Sequence, residues 1–387
     1  MPAWLIMLFC LSGMTELQAQ WIQSQGIEEA DVSDVTVLDS TIFICTNGIW
    51  SRNINGGVWQ QRLSGIRFSR IEVCGEALFA WGTYTCYRSL DHGNTWQDMN
   101  TYWGIQPIQT LCTIDSTLFF SNYNKIFRSD DQGTTIYPIV IDTGIYINSV
   151  ESGGSESLFR YRHSCDYLFE SIDKGITWDT ISMAGLPSNV GIFGVSRLNG
   201  NIWLGANHTI YMRNDIQQQW VFNDSIYLNR MKILNGNLMV STWFEGVYRL
   251  DTTVNQWFPE NTGLETLTVE GFCDYAGGLF LATNIGPFKC TIPYNWEPFY
   301  DGLNQADIST VSFLGNEVWA VAPRGTFVST DHGTTFTKHE MSGLSKPISL
   351  LLTDSLFYAR TNNSFWISSD HGNSWVEENS GLPSPTQ

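Results

Sequence analysis

The stretch Ser368-Ser369-Asp370-His371-Gly372-Asn373-Ser374-Trp375 is one copy of a pattern that recurs along this chain. The pattern is S-x-D-x-G-x-[TS]-[WF], and we call each copy a repeated turn. The other copies are Ser89–Trp96, Ser129–Ile136, Ser171–Trp178 and Ser329–Phe336. The copy that ends at Ile136 has lost the aromatic residue and is the most degenerate of the five.

Turn chemistry explains each recurring position of this pattern. Every copy stands between two extended apolar runs, which predicts a hairpin turn. The Asp can accept backbone N–H groups ahead of it, the Gly takes a positive φ without steric cost, and the aromatic ring adds packing area. We therefore predict structural rather than catalytic roles for these residues. They are Asp91, Gly93, Trp96, Asp131, Gly133, Asp173, Gly175, Trp178, Asp331, Gly333, Phe336, Asp370, Gly372 and Trp375.

Three copies carry a histidine between the Asp and the Gly, namely His92, His332 and His371. Histidines that bind a metal must converge on one point, and these three lie in separate repeats. We interpret them as exposed turn residues, and the sequence predicts no metal site and no cofactor.

The aromatic residue that ends each turn measures the repeat. If degenerate copies are included, it recurs every 37 to 42 residues, at Trp59, Trp96, Ile136, Trp178, Trp220, Trp257, Trp296, Phe336 and Trp375. A period near 40 with strand-like content is typical of four-stranded propeller blades. The sequence predicts an all-β protein, a β-propeller of about nine four-stranded blades. Most propellers have four to eight blades, so either one large ring forms or the chain continues beyond Gln387.

The pattern resembles the Asp-box (BNR) repeat of sialidase-like, sortilin-like and photosystem-assembly-factor-like β-propellers. The resemblance implies blades closed by Asp-box hairpins. It implies no single activity, because these families include hydrolases, receptors and assembly factors.

Charge and the N-terminal residues indicate the compartment and exclude some partners. The net charge is −18 with no basic run, which argues against nucleic acid and anionic membrane surfaces. The apolar run Trp4–Leu11 is too short to span a bilayer, and no later run reaches that length. We predict a signal peptide at 1–19 and a propeller at 20–387, secreted or on the cell envelope.

The cysteines predict neither a disulfide framework nor a zinc site. Seven remain after residue 19, an odd and scattered set without a C-x-x-C pair. Cys74, Cys112 and Cys273 occupy similar early-strand positions in three repeats, and we interpret them as buried core thiols. Cys74 and Cys112 could pair if their repeats are adjacent.

Candidate ligand-binding residues lie in the loops between the second and third strands of the repeats. If the geometry of the resembling families holds, these loops face the functional mouth and the repeated turns lie on the opposite rim. Aromatic rings stack on sugar faces and Arg binds carboxylates, so the partner is a protein or a glycan. An ordinary set of loop residues is the alternative. The candidates are Trp81, Tyr123, Arg162, Trp243, Glu245, Arg324 and Arg360.

Two functions stay open, and we favour the first. The first is a non-enzymatic binding or scaffold propeller, because no catalytic set can be identified. The second is a sialidase-like glycoside hydrolase in which Arg162, Arg324 and Arg360 cluster beside Glu245. The Arg-Ile-Pro signature of sialidases is absent, and its nearest counterpart is 65–68, Gly-Ile-Arg-Phe. Three clustered arginines or two close carboxylates at the mouth would favour the enzyme.

Overall fold

The computed structural model describes residues 29–379, apart from 83, 124, 142–148, 155, 162–167, 189, 207, 217, 276–277, 292–293, 302, 306, 345–346 and 363. The predicted signal peptide lies outside these residues, as does Arg162. The described residues form 38 strands and a single short helix, α1 (Met99–Trp103). Among them, no helix has the length and apolar character needed to cross a membrane.

Nine four-stranded sheets account for almost all of the strands, and each sheet takes four consecutive antiparallel strands. A separate two-residue parallel pair is formed by β1 (Glu29–Ala30) and β30 (Asn304–Gln305). The first four sheets are β2–β5 (Asp34–Leu38, Thr41–Thr46, Gly48–Asn53, Gln60–Ser64), β6–β9 (Arg70–Cys74, Ala77–Gly82, Thr85–Ser89, Gln97–Asp98), β10–β13 (Thr110–Ile114, Thr117–Asn122, Lys125–Ser129, Tyr137–Ile141) and β14–β17 (Ser149–Ser152, Leu158–Tyr161, Leu168–Ser171, Asp179–Ile181). The next three are β18–β21 (Ile192–Leu198, Asn201–Ala206, Thr209–Asn214, Trp220–Asp224), β22–β25 (Leu228–Leu234, Asn237–Thr242, Val247–Asp251, Gln256–Pro259) and β26–β29 (Val269–Tyr275, Gly278–Thr283, Gly286–Thr291, Asn295–Pro298). The last two are β31–β34 (Thr310–Leu314, Glu317–Ala322, Gly325–Ser329, Thr337–His339) and β35–β38 (Ser349–Leu352, Phe357–Arg360, Phe365–Ser368, Val376–Glu377). The predicted all-β propeller fold with nine four-stranded sheets is confirmed.

The sheets belong to two compact units. Residues Val32–Phe299 hold the first seven sheets and form one unit; Met1–Asp31 with Tyr300–Gln387 form the other, which holds the last two sheets and the β1–β30 pair. Within the second of these units, Trp319, Leu350 and Phe357 form an apolar core between its two sheets.

The seven sheets of Val32–Phe299 close into a ring. The first strand of each sheet packs on the first strand of the next, and β2 packs on β26 of the seventh sheet. The Val32 N–H donates to the Thr283 carbonyl at 3.0 Å, and Lys289 Nζ donates to the Ile54 carbonyl at 2.7 Å. The ring that the sequence left open therefore closes after seven blades within this unit.

Apolar residues fill the spaces between neighbouring blades of the ring. Phe79 of the second blade stacks near Trp103, which itself stacks on Phe120 of the third with ring centroids 4.7 Å apart. Phe79 and Phe120 are fully buried, and each buried aromatic contributes about 1.5–3 kcal/mol. The second strands β7 and β11 are buried along almost their whole length, so both of their faces pack in the interior.

Hydrogen bonds inside each repeated turn tie its Ser, Asp and Gly together. In Ser89–Trp96 the Ser89 hydroxyl donates to Asp91 Oδ1 at 2.8 Å and accepts the Gly93 N–H at 2.8 Å. Asp91 Oδ1 accepts the Thr95 N–H at 2.8 Å and Oδ2 accepts the Thr95 hydroxyl at 2.7 Å. The Trp96 indole donates to the Gly93 carbonyl at 3.1 Å. The same Ser–Asp–Gly bonds recur in the other four copies.

The residue between Asp and Gly is more constrained than the sequence indicates. His92, His332 and His371 have φ of 53°, 60° and 61°, in the left-handed region, as do Gln132 and Lys174. Two consecutive left-handed residues reverse the chain, so the turn needs a positive φ at this position as well as at the Gly.

The six cysteines that the structure describes are buried free thiols, and Cys165 lies outside the described residues. The possible Cys74–Cys112 disulfide does not form, because Cys74 Sγ instead donates to the Ser116 carbonyl at 3.2 Å. Burial and the charge of Glu72 raise the pKa of Cys74 to about 12, which keeps it a thiol at neutral pH.

Candidate functional site

A pocket of about 650 Å³ opens at the centre of the seven-bladed unit, at the end where the first strands begin. Its walls come from the first strands of five blades and from the loops that hold Tyr84, Tyr123 and Pro107. Antiparallel order places the start of each first strand and the end of each second strand at the same mouth. The loops between second and third strands of this unit therefore surround the pocket, and the three repeated turns of the same unit (Ser89–Trp96, Ser129–Ile136 and Ser171–Trp178) lie at the other end.

Alternate residues of the first strands form two layers, because side chains two apart share a face. Eight residues of these layers line the pocket, namely Arg70, Glu72, Thr110, Cys112, Glu151, Gly194, Arg230 and Lys232. The outer layer lies nearer the mouth and consists of the first-strand residues that pair with the ends of the second strands. The inner layer consists of the residues two positions further along each first strand. The outer layer is Asp34, Arg70, Thr110, Ser149, Gly194, Arg230 and Gly271. The inner layer is Thr36, Glu72, Cys112, Glu151, Ser196, Lys232 and Cys273.

The outer layer holds one buried ion pair and one further cation. Arg230 Nη1 lies 2.7 Å from Asp34 Oδ1, and Arg230 Nη2 donates to the Ser33 carbonyl at 2.8 Å. Asp34 Oδ2 also accepts the Ile71 N–H at 3.0 Å. Arg70 donates to the Ser69 carbonyl at 3.1 Å and forms no ion pair with any residue that the structure describes.

Gly271 makes room for the Asp34–Arg230 pair. A Cβ at this position would lie 2.3 Å from Asp34 Oδ1 and 3.0 Å from Arg230 Nη1. Glycine here is required by this close approach.

In the inner layer, a lysine neutralises one of the two carboxylates. Lys232 Nζ lies 2.8 Å from Glu72 Oε1, and Thr113 Oγ1 donates to Glu72 Oε2 at 3.3 Å. Burial alone would lower the pKa of Lys232, but the negative charges of Glu72 and Asp34 outweigh it and raise the pKa. Lys232 therefore carries its positive charge at neutral pH.

Glu151 is the carboxyl group of the inner layer that forms no ion pair with a described residue. Its Oε1 accepts the Tyr161 hydroxyl at 2.6 Å and its Oε2 accepts the Val195 N–H at 3.3 Å. Burial raises the pKa of Glu151 although both hydrogen bonds oppose the shift. Raised carboxyl pKa values in clefts are typical of functional sites, but structural networks also produce them.

Exposed aromatic side chains surround the pocket mouth, and we call them the aromatic rim. They project from connections at the mouth or from the start of a first strand, and 38% to 74% of each side chain is exposed. His208 lies between Phe193 and Tyr227, with ring centroids 6.3 Å and 4.1 Å away. The rim consists of Tyr84, Tyr123, Phe193, Tyr227, Trp243 and Phe244.

The candidates that the sequence singles out are distributed over both units. Trp81 and Tyr123 line the pocket together, and Trp243 belongs to the rim. Glu245 is half-buried in the same loop as Trp243, and its carbonyl accepts the Asn261 side chain at 2.9 Å.

The three arginines of the hydrolase alternative are not seen as a cluster. Arg324 and Arg360 belong to the two-sheet unit, where the Arg324 guanidinium lies 4.5 Å from the centre of the Tyr300 ring. Arg360 is exposed at the end of β36. Arg162 lies outside the described residues, so these three remain predictions.

Sequence reasoning missed the charged residues of the two layers. They lie on first strands, whereas the sequence-based candidates were expected in the connections between second and third strands. A signal was present, because Arg70-Ile-Glu72 and Arg230-Met-Lys232 place charges two apart inside runs that otherwise read as buried strands. Among the described residues, no group of three or more metal-binding side chains converges.

Comparison with known proteins yields matches at the level of fold. No family model matches the sequence, and no curated protein matches it. PorZ, an essential bacterial surface component of the type-IX secretion system of Porphyromonas gingivalis, aligns with 93% of this chain and 53% of its own at 13% identity, with a TM-score of 0.56. An ancestral GH74 enzyme aligns with 91% of this chain and 62% of its own at 12% identity, with a TM-score of 0.64.

The extracellular domain of the putative one component system BT4673 from B. thetaiotaomicron also matches. It aligns with 92% of this chain and 60% of its own at 12% identity, with a TM-score of 0.52. The chain thus spans between about half and three fifths of the length of these proteins. At such low identity the similarity shows the β-propeller fold alone.

Proposed function

We propose that this chain is a non-enzymatic binding propeller, secreted or on the cell envelope, whose protein or glycan ligand binds at the pocket mouth of the seven-bladed unit. The observation that carries the proposal is the aromatic rim around a pocket whose charges largely neutralise one another. Exposed aromatics at one mouth supply binding area. The paired charges beneath them offer hydrogen bonds to a ligand but no free nucleophile.

The predicted signal peptide and the solved structures that resemble the chain support an extracytoplasmic location. Among those structures, PorZ is a bacterial surface component and the BT4673 match is an extracellular domain. The hydrogen bonds of the repeated turns support assignment of the blades to the Asp-box class, in the structural role that the sequence predicts.

Glycoside hydrolysis is the second candidate, and Glu151 is the observation that favours it. Its raised pKa suits a general acid, and Glu72 is a second carboxyl group in the same layer. A retaining mechanism would need the two carboxyl groups about 5 Å apart and free to react. Glu72 is instead bound by Lys232, and Glu151 by Tyr161 and Val195, which favours binding over hydrolysis.

A combined screen of purified residues 20–387 separates the two candidates. Turnover of chromogenic sialosides and β-glucosides is measured beside binding to a glycan array and to envelope proteins. We expect binding without turnover, and loss of that binding in the double variant Tyr84→Ala/Tyr123→Ala. Phe222→Ala is the matched control, because Phe222 is an exposed aromatic on an outer strand. Turnover that disappears in Glu151→Gln would replace the binding proposal with hydrolysis.

A further inference from the structure

Two hydrogen-bond donors lie side by side on the pocket wall. Arg70 of β6 and Trp81 of β7 are directly paired across the strands, so their side chains share a face. Both residues line the pocket. Only 5% of the Trp81 surface is exposed. Its indole N–H donates no hydrogen bond to a described residue.

Arg70 is the cation that the pocket leaves without a counter-ion among the described residues. Arg230 is paired with Asp34, and Lys232 with Glu72. Burial, together with the positive charge of Arg230, lowers the pKa of Arg70 to about 10. The guanidinium still carries its charge at neutral pH, and an anion placed against it would relieve the cost of that burial.

A planar oxyanion fits this pair of donors. Guanidinium groups bind carboxylates through two parallel N–H···O bonds, and the adjacent indole supplies a third donor. The net charge of −18 disfavours a polyanion, whereas a single carboxylate at the end of a ligand avoids most of that repulsion.

The remainder of the pocket suits a sugar better than an amino-acid side chain. Gln109, Thr110 and Asn229 line it together with the Glu72–Lys232 pair. Sugar hydroxyls both donate and accept, so they can replace water around such ion pairs. An apolar side chain would desolvate the same pairs without compensation. Rings of the aromatic rim are available to stack on further sugar units.

We propose that Arg70 and Trp81 form a carboxylate subsite for a hexuronic acid unit at the end of an oligosaccharide. The inference rests on the proposed function and specifies its ligand class. Arg70 forms the two charged bonds to the carboxylate, and Trp81 orients it by a bond from the indole N–H.

The test is calorimetric titration of the protein with cellobiouronic acid and with cellobiose. The two disaccharides differ in whether a carboxylate or a hydroxymethyl group is present. We expect the acid to bind about 10- to 100-fold more tightly, which is the usual value of charged hydrogen bonds. Arg70→Met should abolish the difference, Arg70→Lys should retain part of it, and Trp81→Phe should reduce it about 2- to 10-fold. Arg62→Met is the matched control, because Arg62 lies on the outer strand β5 and forms no ion pair among the described residues.

Each other outcome contradicts a defined part of the argument. Equal binding of the two disaccharides, unchanged by Arg70→Met, would overturn the carboxylate subsite and leave the proposed function standing. Binding of a peptide that requires both its free C-terminal carboxylate and Arg70 would replace the sugar with a polypeptide. If neither disaccharide binds, the hexuronate assignment is wrong. If the array and envelope-protein screen also shows nothing that depends on Tyr84 and Tyr123, the proposed function fails too.

Discussion

At the scale of single residues, Arg230 and Arg70 of the outer layer differ in whether they form an ion pair. Arg230 is buried against Asp34 at 2.7 Å, whereas Arg70 has no ion pair among the described residues. Removal of one member of a buried pair leaves the other charge uncompensated, which is far more costly than removal of an unpaired charge.

Methionine at position 230 should destabilise the protein, whereas methionine at position 70 should not. We expect Arg230→Met to lower the free energy of unfolding by about 3–5 kcal/mol because Asp34 is left buried and unpaired. Arg70→Met should leave the free energy of unfolding unchanged or raise it, since an unpaired charge is removed. Urea unfolding followed by circular dichroism measures both variants. Equal destabilisation would mean that Arg70 has a structural partner.

The aspartates of the repeated turns should make the folded protein less stable in acid. Hydrogen bonds from the Ser374 side chain and backbone lower the pKa of Asp370 to about 2, and the Thr335 side chain and backbone do the same for Asp331. A depressed carboxyl pKa contributes stability above the unfolded value near 4, and this contribution is lost as the pH falls through the folded value near 2. The midpoint temperature of thermal unfolding should therefore decrease as the pH is lowered from about 4 to about 2. In the double variant Asp331→Asn/Asp370→Asn this fall should be smaller, and an unchanged profile would show that other carboxyls cause it.

At the scale of the element, the repeated turn also acts between blades. The Gly93 backbone has φ of 80°, and a Cβ there would lie 2.5 Å from Phe43 Cε1 of the preceding blade. Gly133 approaches Phe79 in the same way, at 2.8 Å from Cζ. The glycine therefore permits both the left-handed turn and the close approach of an aromatic ring.

Gly104 has the left-handed backbone of the turn glycines but not their close approach to a ring. It follows α1 with φ of 66°, and nothing lies within 4 Å of its Cβ position. Gly104→Ala should cost only the left-handed backbone strain, about 1–2 kcal/mol. Gly93→Ala should cost clearly more, about 2–4 kcal/mol, because Phe43 must also shift. Chemical unfolding of both variants gives the comparison, and equal losses would exclude the packing role.

At the scale of the whole molecule, the seven blades of Val32–Phe299 form one closed ring. Its first and seventh blades meet through buried strands and through Arg52, whose guanidinium lies 4.5 Å from the centre of the Phe299 ring. Closure removes the exposed faces of the terminal blades, which an open array would leave in water.

The segment 32–299 should therefore fold without the remaining residues. We expect β-type circular dichroism and a single sigmoidal thermal transition, because its terminal blades pack on each other. A segment that ends one blade earlier, 32–264, is the control and should aggregate or melt at lower temperature. Failure of 32–299 itself to fold would show that the ring depends on the other unit.

The repeat, the four-strand blade and the turn chemistry were predictable from sequence, because they depend on local hydrogen bonds and on residues a few positions apart. Ser89, Asp91 and Gly93 bond to one another within five residues, so the pattern alone identified their role. The pocket was only partly predictable: Tyr123 was expected in a loop and lies in one, Trp81 was expected in a loop but lies in strand β7, and Arg70, Glu72, Arg230 and Lys232 were missed. Asp34 and Arg230 are 196 residues apart, and only closure of the ring after seven blades brings them together. Blade count depends on the angle at which neighbouring sheets pack, summed over the ring, and no local pattern records that angle.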